Sequence, residues 1–170
     1  DTCEDSAVQL VKQNIQACNN SAIVIEARSP VFAEQGQTIS GKRVLVVEDG
    51  PTLTHGGMTF GAGSLAAKQY GAKEIVDPRP WLAGTLIDTF EKYPKIGNLL
   101  PAMGYGKEQI KDLEQTINAS DCDLVVIGTP IDLTRVIDIQ KPSVRVTYEL
   151  EEVGTPNLEM VLKPFMSNPA

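Results

Sequence analysis

The sequence predicts an α/β fold, a mostly parallel sheet with helices on both faces in a Rossmann-like or P-loop-like three-layer sandwich. Two apolar runs, Val44–Val47 and Leu124–Ile127, are typical of strands that are buried on both faces. Segments with helical spacing of apolar residues alternate with such runs, as they do in parallel α/β sheets. The 170 residues are enough for one compact unit with its own core.

The first part of the chain predicts one helix and two strands. Val8, Val11 and Ile15 recur at helical spacing, so we expect a helix over residues 5–18. The apolar residues of 22–27 predict a buried strand. A polar loop then precedes the first of the two apolar runs.

The rest of the chain continues the alternation. We expect a short helix over 64–70, a strand over 74–77, helices over 82–93 and around 110–117, and strands over 124–127 and 144–150. The glycines and prolines of 94–106 predict an irregular loop, and the tail from Gly154 predicts little regular structure.

Composition narrows the classes of function. The net charge of −7 and a pI near 4.7 argue against nucleic-acid and membrane partners, because such surfaces concentrate Lys and Arg. Cys3, Cys18 and Cys122 form no CxxC pair, which predicts reduced thiols and a cytoplasmic location. The chain starts at Asp1 without an initiator methionine, which predicts a piece of a longer protein. Whether the chain forms a homo-oligomer is left open by the sequence.

Polar residues follow the predicted strands at the points where ligands of parallel sheets bind, beyond the carboxyl ends. The segment Gly61–Ser64 opens a helix, and N–H groups at the start of a helix attract anions. These features predict a site for a phosphorylated small molecule. The residues expected to bind its phosphate are Thr52, Thr54, Gly56, Gly57, Gly61, Gly63 and Thr129.

Three residues of this region have side chains suited to catalysis. His55 is the single histidine of the chain and can serve as an acid, a base or a phosphate ligand. Asp49 comes directly after a buried strand, and Arg79 lies between two prolines that fix its backbone for anion binding. Glu48 and Asp49, together with Asp132, are also expected to hold Mg²⁺, since magnesium prefers carboxylates beside phosphates.

Two glycine patterns point to other functions. Gly61-Ala62-Gly63-Ser64-Leu65-Ala66 matches the dinucleotide fingerprint, with Asp77 placed as the ribose-binding acid, so an NAD(P)-dependent oxidoreductase is an alternative. Residues 36–43 imitate a P-loop, but Arg43 stands where that motif has Ser or Thr, and the segment precedes a strand instead of following one. We therefore expect an ordinary turn at 36–43.

Four longer motifs carry a family resemblance. They are GKRVLVVEDGPTLTHGGM at 41–58, IVDPRP at 75–80, LPAMGY at 100–105 and VIGTPIDL at 126–133. Together they closely resemble the cyclic 2,3-diphosphoglycerate synthetase family and its relatives, which are described as predicted GTPases. The resemblance extends over roughly residues 1–162.

The resemblance implies the C-terminal portion of a nucleotide-dependent phosphotransfer enzyme whose P-loop lies upstream. Residues 1–30 would end the nucleotide-binding core, 41–150 would bind the phosphorylated metabolite, and 151–170 would be a tail of the same compact unit. ATP or GTP and Mg²⁺ would serve the parent protein, and the portion alone would be inactive. A non-catalytic module that regulates a GTPase is the alternative. The implied nucleotide-binding residues are Asp1, Ala27, Ser29 and Pro30.

Overall fold

The computed structural model describes residues 3–166 and divides the chain into two compact units. Unit 2 is Val31–Tyr148. Unit 1 combines the residues up to Pro30 with those from Glu149 onward. The end of the implied nucleotide-binding core and the implied tail therefore fall in the same unit.

The helices and strands follow one another along the whole described chain. The helices are α1 (Asp5–Cys18), α2 (Gly50–Thr54), α3 (Ala62–Gln69), α4 (Thr85–Lys92), α5 (Lys107–Ala119) and α6 (Leu158–Met166). The strands are β1 (Ala27–Arg28), β2 (Val31–Ala33), β3 (Arg43–Asp49), β4 (Glu74–Ile75), β5 (Leu100–Ala102), β6 (Leu124–Ile127), β7 (Ser143–Tyr148) and β8 (Glu151–Glu152). Short 3-10 turns lie at Gly36–Ile39, Arg79–Trp81 and Leu133–Arg135.

Strand β3 is the centre of the sheet in unit 2. The strand order is β2-β7-β6-β3-β4, and β5 also pairs with β3. β4 pairs with the start of β3 and β5 with its end, so both lie on the side of β3 away from β6. The pairings of β3 with β4, β5 and β6 and of β6 with β7 are all parallel, whereas β2 joins the edge antiparallel. This mostly parallel sheet confirms the predicted α/β fold class.

The apolar runs of the sequence form the core of unit 2. Val44–Val47 and Leu124–Ile127 are buried, as expected for central strands covered on both faces. α3 packs close to the sheet, because Gly63 brings its backbone against Val46. α4 and α5 add Phe90 and Ile117 to the same cluster. The sheet thus has a fixed framework from which the residues after each strand project.

Two expectations for unit 2 were wrong. Residues 94–106, expected to be an irregular loop, contain β5, which forms only because it finds the end of β3 as a partner. The residues that follow β3, where no helix was among those expected, begin with α2. β5 depends on a strand that is distant in the chain, and α2 depends on its capping residue. Periodicity alone reveals neither element.

Unit 1 contains α1, α6 and the antiparallel pair of β1 and β8. The strand expected over 22–27 is reduced to Ala27–Arg28, because only these two residues find a strand partner. The tail, expected to have little regular structure, contains α6. In residues 3–30 and 149–166 no hydrophobic side chain is fully buried. None of the helices described between residues 3 and 166 has the length and apolar character that crossing a bilayer requires.

Candidate functional site

The carboxyl end of β3 runs directly into α2, and Asp49 joins the two. Its Oδ2 accepts hydrogen bonds from the Thr52 N–H at 3.2 Å and from the Thr52 hydroxyl at 2.8 Å. Pro51 in the first turn has the backbone angle that a helix start favours. The carboxylate predicted to act in catalysis therefore serves as the N-terminal cap of α2 and orders the start of the polar segment.

His55 lies exposed at the end of α2, just beyond the edge of the sheet. Its Nδ1 is 3.0 Å from the Thr54 hydroxyl oxygen, and that hydroxyl donates its single proton to the Gly50 carbonyl at 2.9 Å. When Nδ1 carries the proton of the neutral imidazole, it donates to the Thr54 oxygen. Nε2 then keeps its lone pair and has no partner among the described residues. It is free to accept or deliver a proton at a ligand.

Two residues beside His55 were not predicted as site residues. The ring of Tyr93 is 6.1 Å from the imidazole and tilted by 55°. The Lys92 ammonium lies 5.3 Å above the Tyr93 ring, which brings a positive charge toward the same region. The helical spacing of α4 predicts that both residues lie at its end. Only the tertiary fold shows that this end lies beside His55.

Glu48 occupies the anion site that the sequence assigned to a phosphate. Its carboxylate is buried and accepts N–H bonds from Gly63 at 3.3 Å and from Ser64 at 2.7 Å, at the start of α3. The N–H of Gly61 is also engaged, by the Ser64 hydroxyl at 2.9 Å. The N–H groups of Gly61 and Gly63, predicted to bind phosphate, thus already have acceptors within the chain. Burial raises the pKa of Glu48, and the N–H bonds from Ser64 and Gly63 oppose the rise.

Gly61 and Gly63 of the fingerprint, together with Gly128, enclose the Glu48 carboxylate. A Cβ atom at Gly61 or Gly128 would collide with Glu48 Oε2, and one at Gly63 would lie 3.2 Å from Oε1. The glycines are therefore explained by close packing around Glu48. A pyrophosphate at the start of α3 would meet both a filled site and a negative charge. This arrangement argues against the NAD(P)-dependent alternative.

Thr129 follows β6 at the same edge of the sheet. It is buried, and its hydroxyl oxygen accepts the Ile131 N–H at 3.1 Å. The Tyr105 hydroxyl lies 3.3 Å from it. Tyr105 belongs to one of the family motifs, but no local pattern places it beside Thr129.

The Arg79 side chain is held by other residues of unit 2. Its Nη1 donates to Asp77 Oδ1 and to the Gly97 carbonyl, both at 2.9 Å. The guanidinium also stacks 5.0 Å from the Phe90 ring centre. These contacts fasten the segment before β5 to the end of β4, and a catalytic role for Arg79 stays a prediction.

Asp132 is the third carboxylate expected to bind Mg²⁺. Its Oδ1 accepts from the Thr134 N–H at 3.2 Å and from the Thr134 hydroxyl at 2.7 Å. Its Oδ2 lies 3.4 Å from Arg135 Nε and 4.0 Å from Arg145 Nη1. The Thr134 hydroxyl bond is the main cause that lowers the pKa of Asp132, with help from both arginines.

These carboxylates do not form a preassembled magnesium site. Glu48 and Asp49 are hydrogen-bonded within their own elements, and Asp132 is paired with arginines. Across residues 3–166, no group of three His, Cys, Asp or Glu side chains is placed to hold a metal ion. The donor set therefore does not fit an ion bound by protein carboxylates alone.

The predicted nucleotide-binding residues belong to unit 1. Asp1 lies outside the described residues. Ala27 is exposed on β1 and lines a groove of about 680 Å³ between α1 and residues 24–28. Lys12 and Glu26 form an ion pair in this groove. Ser29 and Pro30 follow at the end of the segment, and their nucleotide role stays a prediction.

Comparison with known proteins gives one informative similarity. The chain is 56% identical over 168 residues to arginine synthetase ArcE of Thermococcus kodakarensis. The aligned region covers 99% of this chain and 38% of that protein, so the chain spans well under half of the relative's length. No family model matches the chain. No solved structure matches it either. The chain is therefore a homologue of part of a protein named as a synthetase.

Proposed function

We propose that this chain is the substrate-binding portion of a nucleotide-dependent ligase that forms arginine, with the Thr52–Gly57 segment holding a phosphorylated reactant. The observation that carries the proposal is the 56% identity to a protein named arginine synthetase over nearly all of the chain. Synthetases of this kind use a nucleoside triphosphate to turn an oxygen into a phosphate leaving group. Their sites must therefore position a phosphoryl group and move protons beside it.

The geometry at the end of β3 supports this role. His55 offers Nε2 as a proton acceptor or donor, and it is exposed at the edge where ligands of parallel sheets bind. Gly57 adopts a φ of 62° with open space around its Cβ position, and its N–H has no partner among the described groups. A free N–H beside an imidazole is suited to an oxygen that gains negative charge during the reaction.

Asp49 and Thr129 contribute by positioning other groups of the site. Asp49 holds α2 in place and thereby orients Thr52 and His55. Thr129 places a hydroxyl at the end of the neighbouring strand. Mg²⁺, where the full-length protein uses it, would be held chiefly by the phosphates of ATP or GTP, since magnesium commonly takes few protein ligands in such sites.

The finer family assignment gives a second candidate substrate. In the cyclic 2,3-diphosphoglycerate synthetase family, the named activity joins two phosphates into a cyclic anhydride with ATP. The motif at 41–58 and the His55 segment support this reading as well. The two candidates share the phosphate-binding segment and differ in whether an amino acid or a phosphoglycerate is bound.

The test uses a polypeptide of the relative's length that contains this chain. A synthetase breaks the phosphoanhydride bond of ATP or GTP as it forms the C–N bond that completes arginine. In the reverse direction we expect that C–N bond of L-arginine to be cleaved while phosphate joins the nucleoside diphosphate to give ATP or GTP. His55→Ala should lower this rate by about 100-fold or more, as removal of an acid–base group does. Lys73→Ala changes an exposed residue directly before β4, at the other edge of the sheet, and serves as the control.

Three outcomes would overturn parts of the proposal. A rate that does not depend on L-arginine would remove the arginine assignment, and formation of a cyclic anhydride from 2,3-diphosphoglycerate, followed by ³¹P NMR, would replace it with the family's named activity. An unchanged rate in His55→Ala would remove the site at 52–57.

A further inference from the structure

Arg145 lies on β7, outside the residues that the sequence predicts for the site. It pairs in register with Ile127, and Ile127 pairs with Val47 near the end of β3. Because β3, β6 and β7 are parallel, Arg145 lies at the carboxyl edge, where the polar segment after β3 also begins. Its Nη2 donates to the Pro130 carbonyl at 3.4 Å, so the guanidinium reaches the loop after β6.

The guanidinium is poorly satisfied by the protein. Nε of Arg145 is buried and has no hydrogen-bond partner among the described residues. The ion pair with Asp132 spans 4.0 Å, which is longer than a hydrogen bond, and the bond to Pro130 lies at the long limit. An arginine carries five N–H donors in a planar fork, so this side chain has donors left for an additional acceptor.

The local charge favours an anion. Arg135 and Arg145 both face Asp132 Oδ2, while Asp132 Oδ1 is engaged by Thr134. Two guanidinium groups against one carboxylate leave a local positive charge in a chain whose net charge is −7. The Arg145 side chain is 37% exposed, so a ligand can reach it from solvent.

The shape of the guanidinium favours a carboxylate, and polar groups of the loop after β6 lie close by. The hydroxyls of Thr129 and Tyr105 lie 3.3 Å apart, and the loop after Thr129 supplies the Pro130 carbonyl that Arg145 contacts. The fork of an arginine matches the two oxygens of a carboxylate, which a lysine cannot do. We propose that Arg145 is a specificity-determining residue that binds the α-carboxylate of an amino-acid substrate, at the edge that also holds the Thr52–Gly57 segment.

This inference rests on the proposed function, since the amino acid comes from the relative's name. The shared chemistry is an anionic group with at least two oxygens, and a free phosphate could also supply it. The experiment therefore measures binding to the 170-residue chain by titration calorimetry with three probes: L-arginine, agmatine, which lacks the carboxylate, and inorganic phosphate. The variants are Arg145→Gln and Arg145→Lys, and circular dichroism verifies that both are folded.

Arg43→Gln is the matched control. Arg43 is an arginine of the same sheet, paired with Glu74 and Asp121 at the start of β3. We expect L-arginine to bind at least about tenfold more tightly than agmatine. Both Arg145 variants should lose at least about tenfold in affinity for L-arginine, as expected when a hydrogen bond to a charged group is lost, whereas Arg43→Gln should not.

Several results would overturn the inference. These are equal binding of agmatine and L-arginine, an unchanged affinity in Arg145→Gln, or no binding of L-arginine. Phosphate binding that depends on Arg145 while L-arginine does not bind would assign the site to a phosphate instead. In the full-length protein, an unchanged KM for L-arginine in Arg145→Gln beside a His55-dependent rate would refute this inference alone. Arginine binding without nucleotide-dependent turnover would refute only the proposed function.

Discussion

The contact between β6 and α3 gives a sharp prediction for Gly128→Ala. A Cβ atom at Gly128 would lie 2.5 Å from both Glu48 Oε2 and the Gly63 nitrogen, about 0.9 Å shorter than the 3.4 Å at which an ordinary contact begins. The Gly63 nitrogen is backbone and cannot rotate away. Either the start of α3 moves off the sheet or the bond from Gly63 to Glu48 breaks.

Each of these responses has a known cost. Overpacking of this kind destabilises by about 1–3 kcal/mol. Losing a hydrogen bond to a charged group costs about 1.5–3 kcal/mol. Whichever response occurs, we expect Gly128→Ala to lower the free energy of unfolding by about 1–3 kcal/mol, a large part of the stability of an ordinary domain. Thr129, the next residue, should be displaced with it.

The measurement is urea denaturation followed by circular dichroism, with Gly106→Ala as the control. Gly106 has a φ of −65°, and its Cβ would come within 3.1 Å only of Gln109 Oε1, the end of a flexible side chain. The control should lie within about 1 kcal/mol of wild type, the scale of placing alanine at a helix N-cap. A Gly128→Ala variant as stable as the control would refute the reasoning about the α3 contact.

Three further predictions concern stability and the role of the carboxylates. The pKa of Glu48 is raised above its ordinary 4.5, so its contribution to the free energy of unfolding is fully present below pH 4.5 and is lost as the pH rises through the folded-state pKa. Over that pH window, the free energy of unfolding of wild type in urea titrations should fall relative to that of Glu48→Gln. A constant difference between the two proteins would contradict this. Asp49→Ala should lower the free energy of unfolding by about 1 kcal/mol because the cap of α2 is lost, whereas Asp49→Asn keeps the cap. In the arginine-dependent assay proposed above, Asp49→Asn should keep the wild-type rate if Asp49 only caps α2, and both variants should lose it if the carboxylate acts chemically. Thr116→Val should cost about 1–3 kcal/mol, because the Ala83 N–H loses the hydroxyl acceptor at 3.0 Å, whereas Thr116→Ser should retain the bond; equal denaturation midpoints for the two variants would exclude this role.

Local patterns account for part of the candidate site, whose role stays a prediction. Spacing placed His55 and the threonines directly after a buried strand, and the parallel sheet puts that strand end beside Thr129. The same reasoning assigned the start of α3 to a phosphate, although Glu48 lies there. A helix start attracts any anion, and the sequence could not show that the carboxylate fifteen residues before Gly63 would reach it.

By itself, the sequence determined the α/β class, the two central strands and the position of the polar segment after β3, because burial and periodicity are written into neighbouring residues. The tertiary structure alone decided that β5 pairs with β3, that Glu48 fills the α3 anion site, and that Arg145 meets Asp132. These features depend on contacts between residues that are far apart in the chain, and no local pattern specifies which of several possible partners a strand, a carboxylate or a guanidinium will reach.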